Sequence, residues 1–231
     1  MELTGIIFDL DDTLYDSTGT VFARIVRQIT RETAKQLGVP QKKVSAAYQQ
    51  ALKKEPSFMK ATHQVCLLLA AGKKAQAVCK NAEKVYYSTV GIKNLKPFQG
   101  VHQMLARLRK KYKLGLVTFG GFERQNKKIE TLKLRKLFHF IGIDQYSKLE
   151  LTKRECFEDF LKKLNLKAGT VICIGDKIEN EIKIGNNLGM TTVRVLHGRY
   201  GNTKPRDDDE IPDYTVKKVT DVERLIRQLN G

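Results

Sequence analysis

The chain has 231 residues, enough for one large domain or two modest ones around a substantial hydrophobic core. Its 41% hydrophobic and 29% charged residues are those of a globular chain in water, and the longest apolar run, near residues 65–71, is too short to span a bilayer. A count of 42 Lys and Arg against 25 Asp and Glu leaves a net charge of +17, a surface that attracts anions: nucleic acid, anionic membrane or phosphorylated metabolites.

In chain order, residues 5–10 read as a short buried strand, with Asp9, Asp11 and Asp12 crowded at its end. Phe22, Ile25, Val26 and Ile29 then begin a helical stripe that stops at Gly38 and Pro40. A second helix follows with Val44, Ala47, Tyr48 and Ala51 on its apolar face, and two more are expected near residues 60–71 and 74–90. The strand-and-helix alternation resumes after residue 94. Strands are expected at 114–120, 138–144, 171–176 and 191–196. Helices carrying Val101, Met104, Leu105 and Leu108, and Phe157, Phe160, Leu161 and Leu164, lie between them. Residues 204–213 form an acidic, low-complexity surface loop. The expected fold class is α/β: a Rossmann-like, three-layer core with a mainly parallel sheet, residues 1–15 and 95–231, with an all-helical domain inserted at 16–94.

Cys66, Cys79, Cys156 and Cys173 form no CxxC pair and read as reduced core thiols. His63, His102, His139 and His197 stand at no ligand spacing, so a zinc site is not expected. With no basic segment before the first apolar run, a secretory leader is not expected and the cytoplasm is. The basic residues are spread along helices with few aromatics among them, which makes nucleic acid the less favoured partner. Oligomeric state is not legible.

Ligands of an open parallel sheet bind outside the carboxyl ends of its strands. Those ends carry Asp9, Asp11 and Asp12; Thr118; Asp144, with Lys148 and Lys153 beyond it; and Gly175, Asp176 and Glu181. Each has a bland use as a helix cap, turn or wet face. Together, Asp9, Asp11 and Asp176 would repel severely unless a divalent cation neutralised them, and an all-oxygen set suits magnesium. A lysine and a threonine hydroxyl nearby would complete a phosphate cradle.

The motifs carry a resemblance. "DLDDTL" resembles the DxDxT signature of the haloacid dehalogenase superfamily of phosphohydrolases, with Asp9, Asp11 and Thr13 in place. "LGLVTFG", ending in Thr118, resembles the second motif, Lys153 the third-motif lysine, and "GDKIENE", with Asp176 and Glu181, the fourth. The resemblance covers residues 5 to about 200, and the inserted helices match the family's type-one cap. It implies that Asp9 is the nucleophile and Asp11 the general acid and base. It implies a Mg2+ ion held by the Asp9 carboxylate, the Asp11 backbone carbonyl and Asp176, with Glu181 ligating directly or through water, and a phosphoryl group bound by Thr118, Phe119 and Lys153. The partner is then a small phosphorylated substrate.

Three residues depart from the pattern. Phe119 stands where many relatives have Asn, Glu181 replaces an Asp, and no proline follows Lys153, which keeps Lys148 as an alternative. Asp12, Asp16 and Ser17 read as structural. Phe58, Met59, His63, Tyr86 and Tyr87 suit either the site or the helical core. Two other functions compete: a receiver-like module phosphorylated on Asp144, and a nucleic-acid-associated protein with an end-phosphatase or vestigial site.

Overall fold

A computed structural model describes residues 2–55, 57–144 and 153–230, in two compact units, 1–18 with 92–231 and 19–91. Six strands of the first unit, β1 (Gly5–Phe8), β2 (Lys113–Phe119), β3 (Phe140–Asp144), β4 (Val171–Gly175), β5 (Thr191–Val195) and β6 (Tyr214–Val216), form one sheet in the order β3-β2-β1-β4-β5-β6. All pairings are parallel; Ile7 lies opposite Gly115 on β2 and Cys173 on β4. The chain winds from β1 to one edge, then returns across β1 and winds to the other. Right-handed crossovers therefore put the two sets of helices on opposite faces, giving the α/β sandwich.

Every residue of β1 and β4 is buried, which is why both read as continuous apolar runs and not as alternating ones. On one face Ile7, Val117 and Cys173 meet Phe157 and Phe160 of α7 (Arg154–Lys163) and Ile184 of α8 (Lys183–Asn187). Gly115 is required there, because a Cβ at that position would lie 2.7 Å from the Phe160 ring. On the other face Phe8 meets Phe138 edge-on, with ring centroids 6.3 Å apart. Three further helices belong to this unit: α5 (Val101–Leu108), α6 (Phe122–Thr131) and α9 (Val222–Leu229). The edge strand β6 was not expected; three residues are too few to show a period.

The second unit is a ring of four helices, α1 (Ala23–Leu37), α2 (Gln41–Lys54), α3 (Phe58–Leu69) and α4 (Gly72–Tyr87), each packed on two neighbours. Gly38, at φ +67°, ends α1 as its sequence implies. The aromatic interior places Phe58 between Tyr48 and Tyr86, at centroid distances of 5.8 and 4.9 Å. Phe58 is therefore core, and the exposed His63 pairs with Glu83 at 3.3 Å.

Candidate active site

The last residues of β1, β2, β3 and β4 bring the chemistry to one end of the sheet. Asp9 follows β1 directly and is 4% exposed; its backbone N–H donates to the Ile174 carbonyl of β4 at 2.9 Å. Lys153, also 4% exposed, donates from Nζ to the Asp9 Oδ1 and the Glu181 Oε1. Its backbone sits at φ +72°, and its N–H donates to Asp144 Oδ2 at 2.6 Å. That bond fixes the left-handed turn aiming the lysine at Asp9, so Asp144 acts on the backbone of Lys153. Lys148 lies outside the described residues.

Glu181 enters on a wide turn, Ile178–Ile182, and its Oε2 accepts from the Lys177 N–H at 3.1 Å. Gly175 makes room for it: a Cβ there would come within 2.6 Å of the Glu181 side chain. Asp176 is 2% exposed beside this pair. Burial, with the charges of Glu181 and Asp9, pushes its carboxyl well above the usual range. Burial likewise lifts Asp9 to about 7; Lys153 opposes the rise and Glu181 and Asp11 add to it.

Asp11 has different partners. Both its oxygens accept from Lys128 Nζ on α6, at 2.8 and 2.7 Å, and it also accepts from the Tyr15 hydroxyl and, at 3.2 Å, from Gln125 Nε2. Burial works against its charge, but Lys128, then Tyr15 and Gln125, outweigh it and hold the carboxyl well below the ordinary range. Gln125 Nε2 also donates to Thr118 Oγ1 at 2.7 Å and to the Phe119 carbonyl at 2.8 Å, tying the second motif to the first. The Phe119 side chain is exposed, and its carbonyl is taken by Gln125.

Lys128, Gln125 and Tyr15 were missed by the sequence reading. The first two lie three apart on α6, on one helix face, yet "FERQNKKIE" has the composition of a solvated face. Asp12 accepts from the Thr18 N–H and hydroxyl at 2.8 and 2.6 Å. With Asp16 and His197 it forms a group whose ligand atoms lie within 4.8 Å of one another. Both Asp12 oxygens are already held there, and a 3.4 Å contact joins Asp16 to His197.

The motif carboxylates fit a hard cation. Asp9 and Asp176 are buried at the same end of the sheet and offer only oxygen, while both Glu181 oxygens are held, by Lys153 Nζ and the Lys177 N–H, which suits Glu181 to a supporting place. Burial first, and then the neighbouring carboxylates, raise Asp9 and Asp176 against the pull of Lys153 on the one and Lys177 on the other.

The model of the haloacid dehalogenase-like hydrolase family matches residues 6–195. The chain is 27% identical over 230 residues to a glyceraldehyde 3-phosphate phosphatase of Methanopyrus kandleri and 29% identical over 234 residues to that of Methanocaldococcus jannaschii, each match covering 98% of both chains. A magnesium-bound hydrolase of the family from Bacillus subtilis shares its fold, with a TM-score of 0.66 at 18% identity over the whole of both chains. With four motifs in order on a 3-2-1-4-5-6 sheet and a match spanning most of its length, the chain belongs to the haloacid dehalogenase-like hydrolase family.

Proposed function

We propose that this hydrolase is a magnesium-dependent phosphatase that cleaves the phosphomonoester of a small metabolite through an aspartyl-phosphate on Asp9. The carrying observation is the Asp9 carboxylate, buried and charge-paired to Lys153 at the end of the central strand, with a second carboxylate, Asp11, two residues on. The relatives named as glyceraldehyde 3-phosphate phosphatases favour a short sugar phosphate as substrate.

In the first step an Asp9 oxygen attacks phosphorus, forming one P–O bond as the ester P–O bond breaks, and Asp11 gives the leaving oxygen a proton that it carries only against the bonds from Lys128, Tyr15 and Gln125, which favour its ionised form. In the second, water attacks the same phosphorus and loses a proton to Asp11; the Asp9–phosphorus bond breaks, releasing phosphate and restoring both carboxyls. Thr118 and Lys153 hold the phosphoryl oxygens, and Lys153 also offsets the charge of Asp9. Magnesium, when bound by Asp9, Asp176 and the Asp11 carbonyl with Glu181 in support, supplies charge neutralisation of the phosphoryl oxygens. The helical segment 16–94 serves as the cap that selects substrate, and the cytoplasm is the site of action. No helix among the described residues is long and apolar enough to cross a membrane.

Phosphate release from a panel of sugar phosphates with added magnesium tests the reading. Asp9→Asn is expected to lower kcat by at least about 10³-fold, the scale on which removing a nucleophile acts; normal turnover by that variant would falsify it.

A further inference from the structure

We propose that Lys128 is a positioning residue of this reaction, which together with Gln125 keeps the Asp11 carboxylate apart from the acidic cluster and beside Thr118. The inference rests on the proposed role of Asp11 as acid and base. Four carboxylates crowd the end of the sheet, and they fall into two sets by partner. Asp9 and Glu181 share Lys153, with Asp176 next to them, whereas Asp11 has its own ammonium from another element.

The grip is unusually complete. Lys128 is 4% exposed, so its charge has been taken out of water, and its Nζ reaches both Asp11 oxygens. The Asp11 side chain is 30% exposed, so the pair is partly screened by water and is a poor device for stability. Its value lies in fixing direction. Tyr15 and Gln125 add two further donors, so rotation of the Asp11 side chain would break four bonds at once.

Gln125 sets the location, because its amide nitrogen shares two hydrogens among Thr118 at 2.7 Å, the Phe119 carbonyl at 2.8 Å and Asp11 at 3.2 Å. A phosphoryl group held on Thr118 is thereby brought to the carboxylate that must trade protons with its ester oxygen and with water. Lys128 and Gln125 are one turn apart on α6, so a single rigid helix carries the whole bracket. Lys128 touches Asp11 and needs no contact with substrate. Its loss should therefore appear in kcat and leave KM alone, and it should add little once the Asp11 carboxylate is itself removed.

A double-mutant cycle on kcat tests this, with Lys128→Met, Asp11→Asn and the double variant assayed as magnesium-loaded enzyme on the best sugar phosphate of the panel. Lys128→Met is expected to lower kcat about 10²-fold, the lower end of what acid–base catalysis contributes, with KM within about threefold of wild type. The double variant should be no slower than Asp11→Asn by more than about threefold, and Lys128→Arg should recover part of the loss. A double variant whose loss is the product of the two single losses overturns the inference, as does a Lys128→Met effect confined to KM. Normal kcat in Lys128→Met with a crippled Asp11→Asn overturns the inference and spares the reading of Asp11; normal kcat in Asp11→Asn overturns both. If Lys128→Met fails to fold by circular dichroism, Gln125→Leu takes its place in the cycle with the same expectations.

Discussion

Lys153 joins two acids that would otherwise face each other across the end of the sheet. Its ammonium is held charged by Asp9 and Glu181 against the cost of burial. Replacing it with methionine leaves those carboxylates buried without a counter-charge, a loss of about 3–5 kcal/mol for a broken buried pair. Thermal melting should show this directly, and phosphatase activity should vanish in the same variant. The acids also give a pH signature. Asp9 rises from 3.8 to about 7 on folding, so the folded chain binds its proton more tightly than the unfolded chain does. Its contribution to stability is then complete below pH 3.8 and is lost as pH rises through about 7. A cation that competes for the same oxygens gains as that proton leaves, so magnesium should raise the Tm more at pH 8 than at pH 5. Equal shifts at the two pH values would contradict the assignment of Asp9 to the metal.

At the scale of elements, the site depends on how closely β4 and the turn after it can pack. Gly175 ends β4, and its missing side chain is the space that Glu181 fills. Gly175→Ala should push Glu181 aside, at a cost of about 1–3 kcal/mol for overpacking, and disturb Lys153 through the bond they share. Urea unfolding together with kcat reads both effects; an unchanged midpoint and rate would mean that Glu181 moves freely. The strand ends were legible in the sequence because buried parallel strands leave continuous apolar runs that stop at Asp9, Thr118, Asp144 and Asp176. Asp144 was legible as a strand-end acid but not as the anchor of the Lys153 turn, since a bond from a backbone N–H nine residues away leaves no trace in composition. Lys128 and Gln125 were illegible for a different reason: a helix face turned toward buried carboxylates is as polar as one turned toward water.

Across the whole molecule the charge is unevenly placed. Residues 19–91 carry 13 Lys and Arg against 3 Asp and Glu, well over half of the net +17 in under a third of the chain. Such a field draws anions toward the protein and is screened within about 8 Å at physiological salt. For a dianionic substrate, kcat/KM should therefore fall as ionic strength rises, and a neutral competitor's affinity should not. The architecture itself was readable from the alternation of strands and helices, as was the helical insertion, because both rest on hydrophobic period. The roles proposed for Asp9 and Asp11 come from the motif resemblance; which lysine each pairs with was not readable, because Lys153 and Lys128 are brought from distant segments. The proposed reaction stands or falls on whether Asp9 carries the phosphoryl group. Quenching the enzyme during turnover of a sugar phosphate, reducing any acyl phosphate with borohydride and mapping the peptides tests it most directly. Homoserine is expected at position 9 and nowhere else; homoserine at position 11 or 144, or none while phosphate is being released, would rule out Asp9 as the nucleophile.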